Sequence, residues 1–249
     1  MQKYLQNGAS VISRQVQRLD IIANNLANMN TTGYKAQEIA FCDIVNDKTL
    51  NNDNLTESVA KKARTSRDFA QGVIAKSENP YSIAIEGRGY FRVKDTDGND
   101  YYTRDGNFHK DAQGRLVHPA GYYLEGIDLP NDTQKVYIRS DGSVDYQNFQ
   151  GDINSAGQIN LYLFNSPQEL KAVGGNLFTA GELSGEPQEF NPGGDEVAQL
   201  KQGSLESSNT NWAMEMVNLI QTQRTISMSS QSVTKTADQL WEMANNLRR

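Results

Sequence analysis

Small or apolar residues recur at steps of three and four along both ends of this 249-residue chain. Such steps are typical of the a and d positions of a heptad repeat, which place successive side chains on one face of a helix. We therefore predict a long helix at each end. The N-terminal stripe comprises Leu5, Ala9, Ile12, Val16, Leu19, Ala23 and Leu26. The C-terminal stripe comprises Trp212, Met216, Leu219, Gln223, Ile226, Ser230, Val233, Ala237, Leu240, Ala244 and Leu247.

Both stripes need a surface that buries them, because one fully buried Leu or Ile side chain contributes about 1.5–3 kcal/mol. We expect the two helices to pack together as a coiled coil; a plain helical hairpin and packing onto neighbouring copies stay open as alternatives. Polar residues interrupt the C-terminal stripe at Gln223 and Ser230. Since ordering one residue costs about 1–2 kcal/mol, we expect helices that are poorly ordered in a dilute monomer and become ordered on polymerisation.

The middle of the chain is predicted to form antiparallel β-structure. Apolar and polar residues alternate in 81–85 and 90–94, as they do in strands with one buried face. Asp-Gly and Gln-Gly turn signals separate the strand-like runs, and all six prolines lie between positions 79 and 194. Short strands joined by frequent turns favour a sandwich or a partly open barrel.

These patterns together predict an α+β fold in which long N- and C-terminal helices pack as a coiled coil beside a central antiparallel β domain. The predicted parts are an N-terminal helix over 1–33, a polar connector over 34–72, the β domain over 73–202 and a C-terminal helix over 203–249.

The composition argues against several classes of protein. A formal net charge of -6 at pH 7 and an isoelectric point near 5.0 disfavour binding to nucleic acid or to an anionic membrane surface. No stretch approaches the ~18 apolar residues of a membrane-spanning helix, so we expect no direct membrane insertion. The first residues lack the apolar segment of a secretory leader. Cys42 is the single cysteine, which excludes an internal disulfide and a cysteine-based metal site.

A search for catalytic or metal-binding motifs gives no candidate. The acidic run 95–100 lacks the Gly and Glu that a calcium-binding EF-hand loop needs at its sixth and twelfth positions. Glu-Gly-Arg-Gly at 86–89 lacks the spacing of a dinucleotide-binding loop. His109 and His118 are the two histidines, and both fall in turn-rich segments. We therefore predict a protein that is not an enzyme and that needs no cofactor and no metal.

One segment carries a far more specific signal than the motifs considered above. Residues 23–35, Ala-Asn-Asn-Leu-Ala-Asn-Met-Asn-Thr-Thr-Gly-Tyr-Lys, closely resemble the N-terminal signature of bacterial flagellar rod and hook proteins. Residues 68–72, 79–91 and 102–108 are similar to the shared β domain of that family, and 203–211 with 215–224 to its C-terminal signature. Departures from the family pattern at Thr210 and over 225–230 leave open whether the chain is closest to proximal or distal rod proteins.

The resemblance implies a structural role. It implies a subunit of the bacterial flagellar basal-body rod that the flagellar type III export apparatus carries across the cytoplasmic membrane. The subunit would then polymerise helically, with itself and with other rod and hook subunits, into the axial drive shaft that transmits torque. A fibre or phage-tail-like component is the alternative, and a secreted hydrolase is a weaker one.

The expected assembly interface combines the two stripes with the Asn-rich end of the first helix. Gly33 follows that end and is free to turn the chain in a left-handed conformation. The predicted interface residues are Leu5, Ile12, Val16, Leu19, Asn24, Asn25, Leu26, Asn28, Gly33, Met216, Leu219, Ile226, Val233, Leu240 and Leu247.

Overall fold

The computed structural model describes residues 2–44, 60–193 and 198–246, which form two compact units. The helical unit draws on Met1–Ala27, Gln37–Arg67 and Asn211–Arg249. The β unit draws on Asn28–Ala36 and Asp68–Thr210. The chain therefore passes between the units several times, and the short segment 28–36 belongs to the β unit although it directly follows the first helix.

The helical unit consists of two helices and a hairpin. Its elements are α1 (Gln2–Ala27), β1 (Gln37–Ile44), β2 (Ala60–Arg67) and α2 (Trp212–Asn246). The helices pack against each other, and β1 pairs antiparallel with β2 and contacts α1. Asn211 caps α2, because its side-chain oxygen accepts the backbone N–H groups of Ala213 and Met214 at 3.1 and 3.2 Å.

The predicted coiled coil is wrong. The unit has one N-terminal and one C-terminal helix that contact each other, but the predicted a and d positions do not form a buried seam. Val16 and Met216 are exposed, whereas the buried side chains among the described residues of the two helices are Ile22, Asn25 and Thr222, which lie off the predicted stripes. The reason is physical: polar residues such as Asn25, Glu215 and Thr222 occupy the inward face, so the contact between the helices cannot become a continuous apolar seam.

The β unit contains short strands joined by tight turns, as the alternation and the turn signals predicted for the middle of the chain. The strands are β3 (Ile74–Lys76), β4 (Ile83–Gly87), β5 (Tyr90–Lys94), β6 (Asp100–Thr103), β7 (His109–Lys110), β8 (Leu116–Val117), β9 (Tyr123–Leu124), β10 (Thr133–Ile138), β11 (Ser143–Asn148), β12 (Ile153–Gln158), β13 (Leu161–Leu163), β14 (Lys171–Gly174), β15 (Leu177–Thr179), β16 (Gln188–Phe190), β17 (Ala198–Gln202) and β18 (Ser204–Glu206). A short 3₁₀ turn spans Pro167–Glu169.

These strands form several sheets, and all of the pairs in the described chain are antiparallel. The largest sheet has nine strands and runs β14-β15-β6-β5-β9-β8-β7, with β13 pairing both β5 and β16. A second sheet runs β10-β11-β12. Strand β17 pairs with β4 and β18 pairs with β3, so the last strands of the unit join its first ones.

The main core of the β unit is apolar and closed to solvent. Side chains from several strands are fully buried in it, among them Ile83, Ile85, Phe91, Val93 and Phe108. A second cluster is mostly aromatic and joins Tyr90, Tyr102, Tyr162, Phe164 and Phe178 through edge-to-face ring contacts. The guanidinium group of Arg104 lies over the Tyr90 ring of this second cluster.

Candidate assembly surface and a buried clasp

The predicted interface residues on α1 fall on more than one face of the helix. Ile12, Leu19 and Leu26 are half-buried, whereas Val16 and Asn24 are exposed. Leu5 lies within α1. The inward face near the C-terminal end is marked by Ile22 and Asn25, both of which are buried.

On α2, three of the predicted residues share one inward face. Leu219, Ile226 and Val233 are half-buried, and they follow one another at steps of seven. A side-chain methyl group of Val233 would lie 2.6 Å from a Cβ built on Gly8 of α1, so the absence of a side chain at Gly8 permits this approach. Leu240 lies within α2, and Leu247 lies outside the described residues.

Asn25 is the polar centre of the helical unit. Its side-chain oxygen accepts the backbone N–H of Gln37 at 2.8 Å, and its amide nitrogen donates to the Gln37 carbonyl at 2.9 Å. The same nitrogen also donates to Oε1 of Glu215 at 2.8 Å. One buried amide thus joins α1, β1 and α2, beside a cavity of about 410 Å³ that these three elements line.

The exposed surface of α2 carries several large apolar side chains. Met216 is 42% exposed, and Trp212 and Trp241 are 62% and 72% exposed. Further apolar side chains on the exposed surface of this helix are Met214, Val217, Ile220, Met228 and Met243. Scattered exposed apolar residues are ordinary, but a concentration on one helix is typical of a surface that binds another protein.

The Asn-rich end of α1 leads into a tightly docked segment. Asn28 closes the turn after the helix, since its carbonyl accepts the N–H of Thr31 at 3.1 Å. Gly33 follows with φ of +65°, and a Cβ at this position would lie 2.5 Å from the backbone nitrogen of Asp105. Glycine is therefore required at this position for two reasons, the left-handed conformation and the close approach of two backbone segments.

Within the β unit, Lys35, Arg104 and Glu206 form a buried ionic cluster, which we call the clasp. Lys35 Nζ lies 2.6 Å from Oε1 of Glu206, and Arg104 Nη1 lies 3.5 Å from Oε2. The side chains of Lys35, Arg104 and Glu206 are 1%, 5% and 0% exposed. Lys35 also donates to the carbonyl of Ala70 at 2.7 Å, and Glu206 accepts the N–H of Gly72 at 2.9 Å.

Burial sets the electrostatics of the clasp. It lowers the pKa of Lys35, an effect that the charge and hydrogen bond of Glu206 oppose and that Arg104 reinforces. Burial also lowers the pKa of Arg104, again against Glu206. The guanidinium carbon of Arg104 lies 5.4 Å from the centre of the Tyr90 ring, and burial raises the pKa of the Tyr90 hydroxyl.

The sequence motifs contained the clasp residues without singling them out. Lys35 closes the N-terminal signature, Arg104 lies within 102–108 and Glu206 within 203–211. One signal was available, because each is a charged residue inside a glycine-containing motif. Nothing in the linear order shows, however, that Lys35 and Glu206 meet across 171 positions.

The two histidines occupy different environments. His109 is exposed, whereas His118 is buried and its Nε2 lies 3.1 Å from Oδ2 of Asp105. The other ring nitrogen, Nδ1, accepts the backbone N–H of Ala120 at 3.2 Å, which places the ring proton on Nε2. Throughout residues 2–44, 60–193 and 198–246, no three His, Cys, Asp or Glu side chains are grouped so as to hold a metal ion. In the same ranges no helix is long and apolar enough to span a membrane.

Three family descriptions match the chain in order. "Flagella basal body rod protein" matches residues 5–35, "Flagellar hook protein FlgE/F/G D1 domain" matches 84–146, and "Flagellar basal body rod FlgEFG protein C-terminal" matches 201–247. Each matched range contains one residue of the clasp: Lys35 in the first, Arg104 in the second and Glu206 in the third.

Several relatives that match over nearly the whole chain share one description. The flagellar basal-body rod protein FlgG of Borreliella burgdorferi is 34% identical, with 100% of each chain covered. The FlgG of Buchnera aphidicola from Schizaphis graminum is also 34% identical, over 92% of this chain and 93% of that protein. The FlgG of Bacillus subtilis is 32% identical, with 100% of each chain covered.

Proposed function

The chain belongs to the family of flagellar basal-body rod proteins, and from that membership we propose how this subunit is delivered and how it assembles. As a member it is a structural subunit of the rod in the flagellar basal body, which confirms the function predicted from its motifs. Its family domains also imply that it assembles with other axial proteins of the flagellum.

Delivery is proposed to use the flagellar type III export apparatus. The subunit crosses the cytoplasmic membrane as an unfolded chain and then polymerises helically into the shaft that transmits torque. A single cysteine supports this route, because no internal disulfide can form before passage. The subunit acts by transmitting force and catalyses no reaction, which agrees with the lack of any recognisable catalytic motif in the sequence.

The helical unit is the proposed assembly surface. Its predicted residues divide into an inward set, which includes Leu219, Ile226 and Val233, and an exposed set that neighbouring subunits would cover. The observation that carries the proposal is the number of large apolar side chains that α2 exposes to solvent along its length. A neighbour that covers them gains about 1.5–3 kcal/mol for each side chain that becomes fully buried.

Assembly and helix ordering are proposed to be coupled. The contact between α1 and α2 buries few side chains completely, so the helical unit alone gains little to offset the cost of ordering it. Neighbouring subunits supply the missing burial, and protection of the helices therefore depends on protein concentration.

A charge placed on the exposed face of α2 tests the assembly surface. In the double variant Val217→Asp/Ile220→Asp, both substituted side chains are about half exposed in the subunit, at 48% and 49%, so the β unit should fold normally. Incorporation into basal bodies should fall by at least tenfold, since a tenfold change needs about 1.4 kcal/mol. Motility should be lost, as measured in cells that make the variant as their sole copy.

The matched control is Thr225→Asp/Ser232→Asp, which adds the same two charges and the same helix-disfavouring residues at exposed polar positions on a different side of α2 from Val217 and Ile220. It should assemble far better than the apolar-face variant. Normal incorporation of Val217→Asp/Ile220→Asp would refute the proposed surface.

A further inference from the structure

The clasp joins two chain segments that each lie next to a long helix in the sequence. Lys35 belongs to segment 28–36, which follows the end of α1 at Ala27. Glu206 belongs to segment 203–210, which precedes the start of α2 at Trp212. Arg104 comes from the body of the β unit, in the turn after β6.

Without Glu206 the clasp would hold two buried cations and no carboxylate. Lys35 and Arg104 are two buried cations that repel each other, as the lowering of the Lys35 pKa by Arg104 indicates. Glu206 is the carboxylate that both of them contact, and Asp68 adds a weaker attraction for Lys35. Removing one partner of a buried ionic group costs far more than removing the group as a whole, because an uncompensated charge remains.

Backbone hydrogen bonds connect the same two segments. The N–H of Gly33 donates to the carbonyl of Glu206 at 2.8 Å. The N–H of Ala36 donates to the side-chain oxygen of Asn209 at 2.8 Å. If segment 203–210 were displaced, Gly33 and Ala36 would lose these acceptors, which adds to the cost of an uncompensated Lys35.

We propose that the clasp makes docking of segment 28–36 conditional on docking of segment 203–210, so that the two ends of the chain attach to the β unit in one cooperative step. An incomplete chain then cannot hold its N-terminal signature in place, because Lys35 would enter a buried site beside Arg104 without its carboxylate. The inference concerns folding of the single subunit and does not depend on how the subunit assembles.

Hydrogen exchange on the full chain tests this coupling in three variants, Glu206→Gln, Lys35→Met and Lys35→Met/Glu206→Gln. Glu206→Gln leaves two buried cations, and amides in both 28–36 and 204–206 should exchange at least about tenfold faster. Lys35→Met leaves Arg104 paired with Glu206 and should have a smaller effect, again in both segments. The double variant removes one cation and should be better protected than Glu206→Gln alone.

Glu86→Gln is the matched control, because Glu86 pairs with Lys201 at 2.8 Å while both side chains are about half exposed. It should leave exchange in both segments within about twofold of the original protein.

The coupling is overturned if Lys35→Met speeds exchange in 28–36 alone while 204–206 keeps its original rates. It is also overturned if the double variant is no better protected than Glu206→Gln. Should Glu206→Gln fail to fold, a folded double variant supports the proposal, and an unfolded double variant beside a folded Lys35→Met overturns it.

Discussion

The β unit and the helical unit bury their side chains in very different ways. The β unit has a continuous core in which Phe91, Phe108 and Leu161 are fully closed to solvent. In the described part of the helical unit, the buried side chains are Ile22, Asn25 and Thr222, two of which are polar. The contrast teaches that the interior of the β unit is complete within one chain, whereas the helical unit presents apolar surface outward.

The largest effect that would test this contrast is expected from the core of the β unit. Phe91→Ala removes a ring that is 0% exposed and lies edge-to-face with Phe108 at a centroid distance of 5.6 Å. The free energy of unfolding of the β unit should fall by about 3–5 kcal/mol. Urea unfolding followed by near-ultraviolet circular dichroism measures it.

Phe149→Ala is the control, because this ring is 70% exposed at the turn between β11 and β12. It should change the free energy of unfolding by less than about 0.5 kcal/mol. Equal losses in the two variants would contradict the idea that a closed core dominates the stability of this unit.

An intermediate effect is expected where segment 28–36 docks on the β unit. Gly33→Ala forces a left-handed conformation on alanine, which costs about 1–2 kcal/mol, and also pushes a methyl group against the backbone of Asp105. Gly98→Ala has the same conformational penalty at φ of +83°, but no atom lies within 4 Å of its Cβ. Gly33→Ala should therefore destabilise the β unit by at least about 1 kcal/mol more than Gly98→Ala.

The comparison of the two glycine variants uses the same urea titration. A similar loss for both would mean that the backbone at Arg104 and Asp105 yields easily, and that segment 28–36 is not an integral part of the β unit.

The smallest effect is expected in the helical unit. Asn25→Ala removes three hydrogen bonds, two with the backbone of Gln37 and one with Glu215. The local opening free energy should drop by about 1–2 kcal/mol, and unfolding of the β unit should not change. Hydrogen exchange of amides in 18–27 and 212–222 measures the change, with the exposed Gln17→Ala as the control. A similar loss of stability in the β unit would instead show that the two units unfold as one cooperative block.

Local sequence signals predicted the strands of the β unit better than they predicted how the two helices pack. Alternation over 81–85 and 90–94 predicted strands with one buried face, and Ile83 with Ile85 and Phe91 with Val93 do lie together in the core. The opposite faces are not solvent-exposed throughout, however, because Ala84 and Tyr90 are buried as well. Steps of three and four, by contrast, allow several stripes on one helix. The predicted stripe contained both Leu219 and Met216, yet Leu219 is half-buried and Met216 is exposed, since the observed inward face also uses polar Glu215 and Thr222.

The clasp could not be predicted from local pattern. Lys35 and Glu206 are ordinary charged residues in their own segments, and their burial depends on strand pairing between the start and the end of the β unit. The family signature contained them because it spans those segments, but resemblance alone did not show which side chains meet. Contacts of such long sequence separation depend on the folded topology.

The two units of the molecule can be distinguished by their intrinsic fluorescence, because their aromatic residues differ. Both of its tryptophans, Trp212 and Trp241, lie on the exposed face of α2, whereas ten of its eleven tyrosines lie in the β unit or in the segment docked on it. Tryptophan absorbs at longer wavelengths than tyrosine. Light at the long-wavelength edge of aromatic absorption therefore excites the helical unit alone. Its emission reports the polarity around α2, so a shift to shorter wavelength would register a neighbour covering that helix without any attached dye.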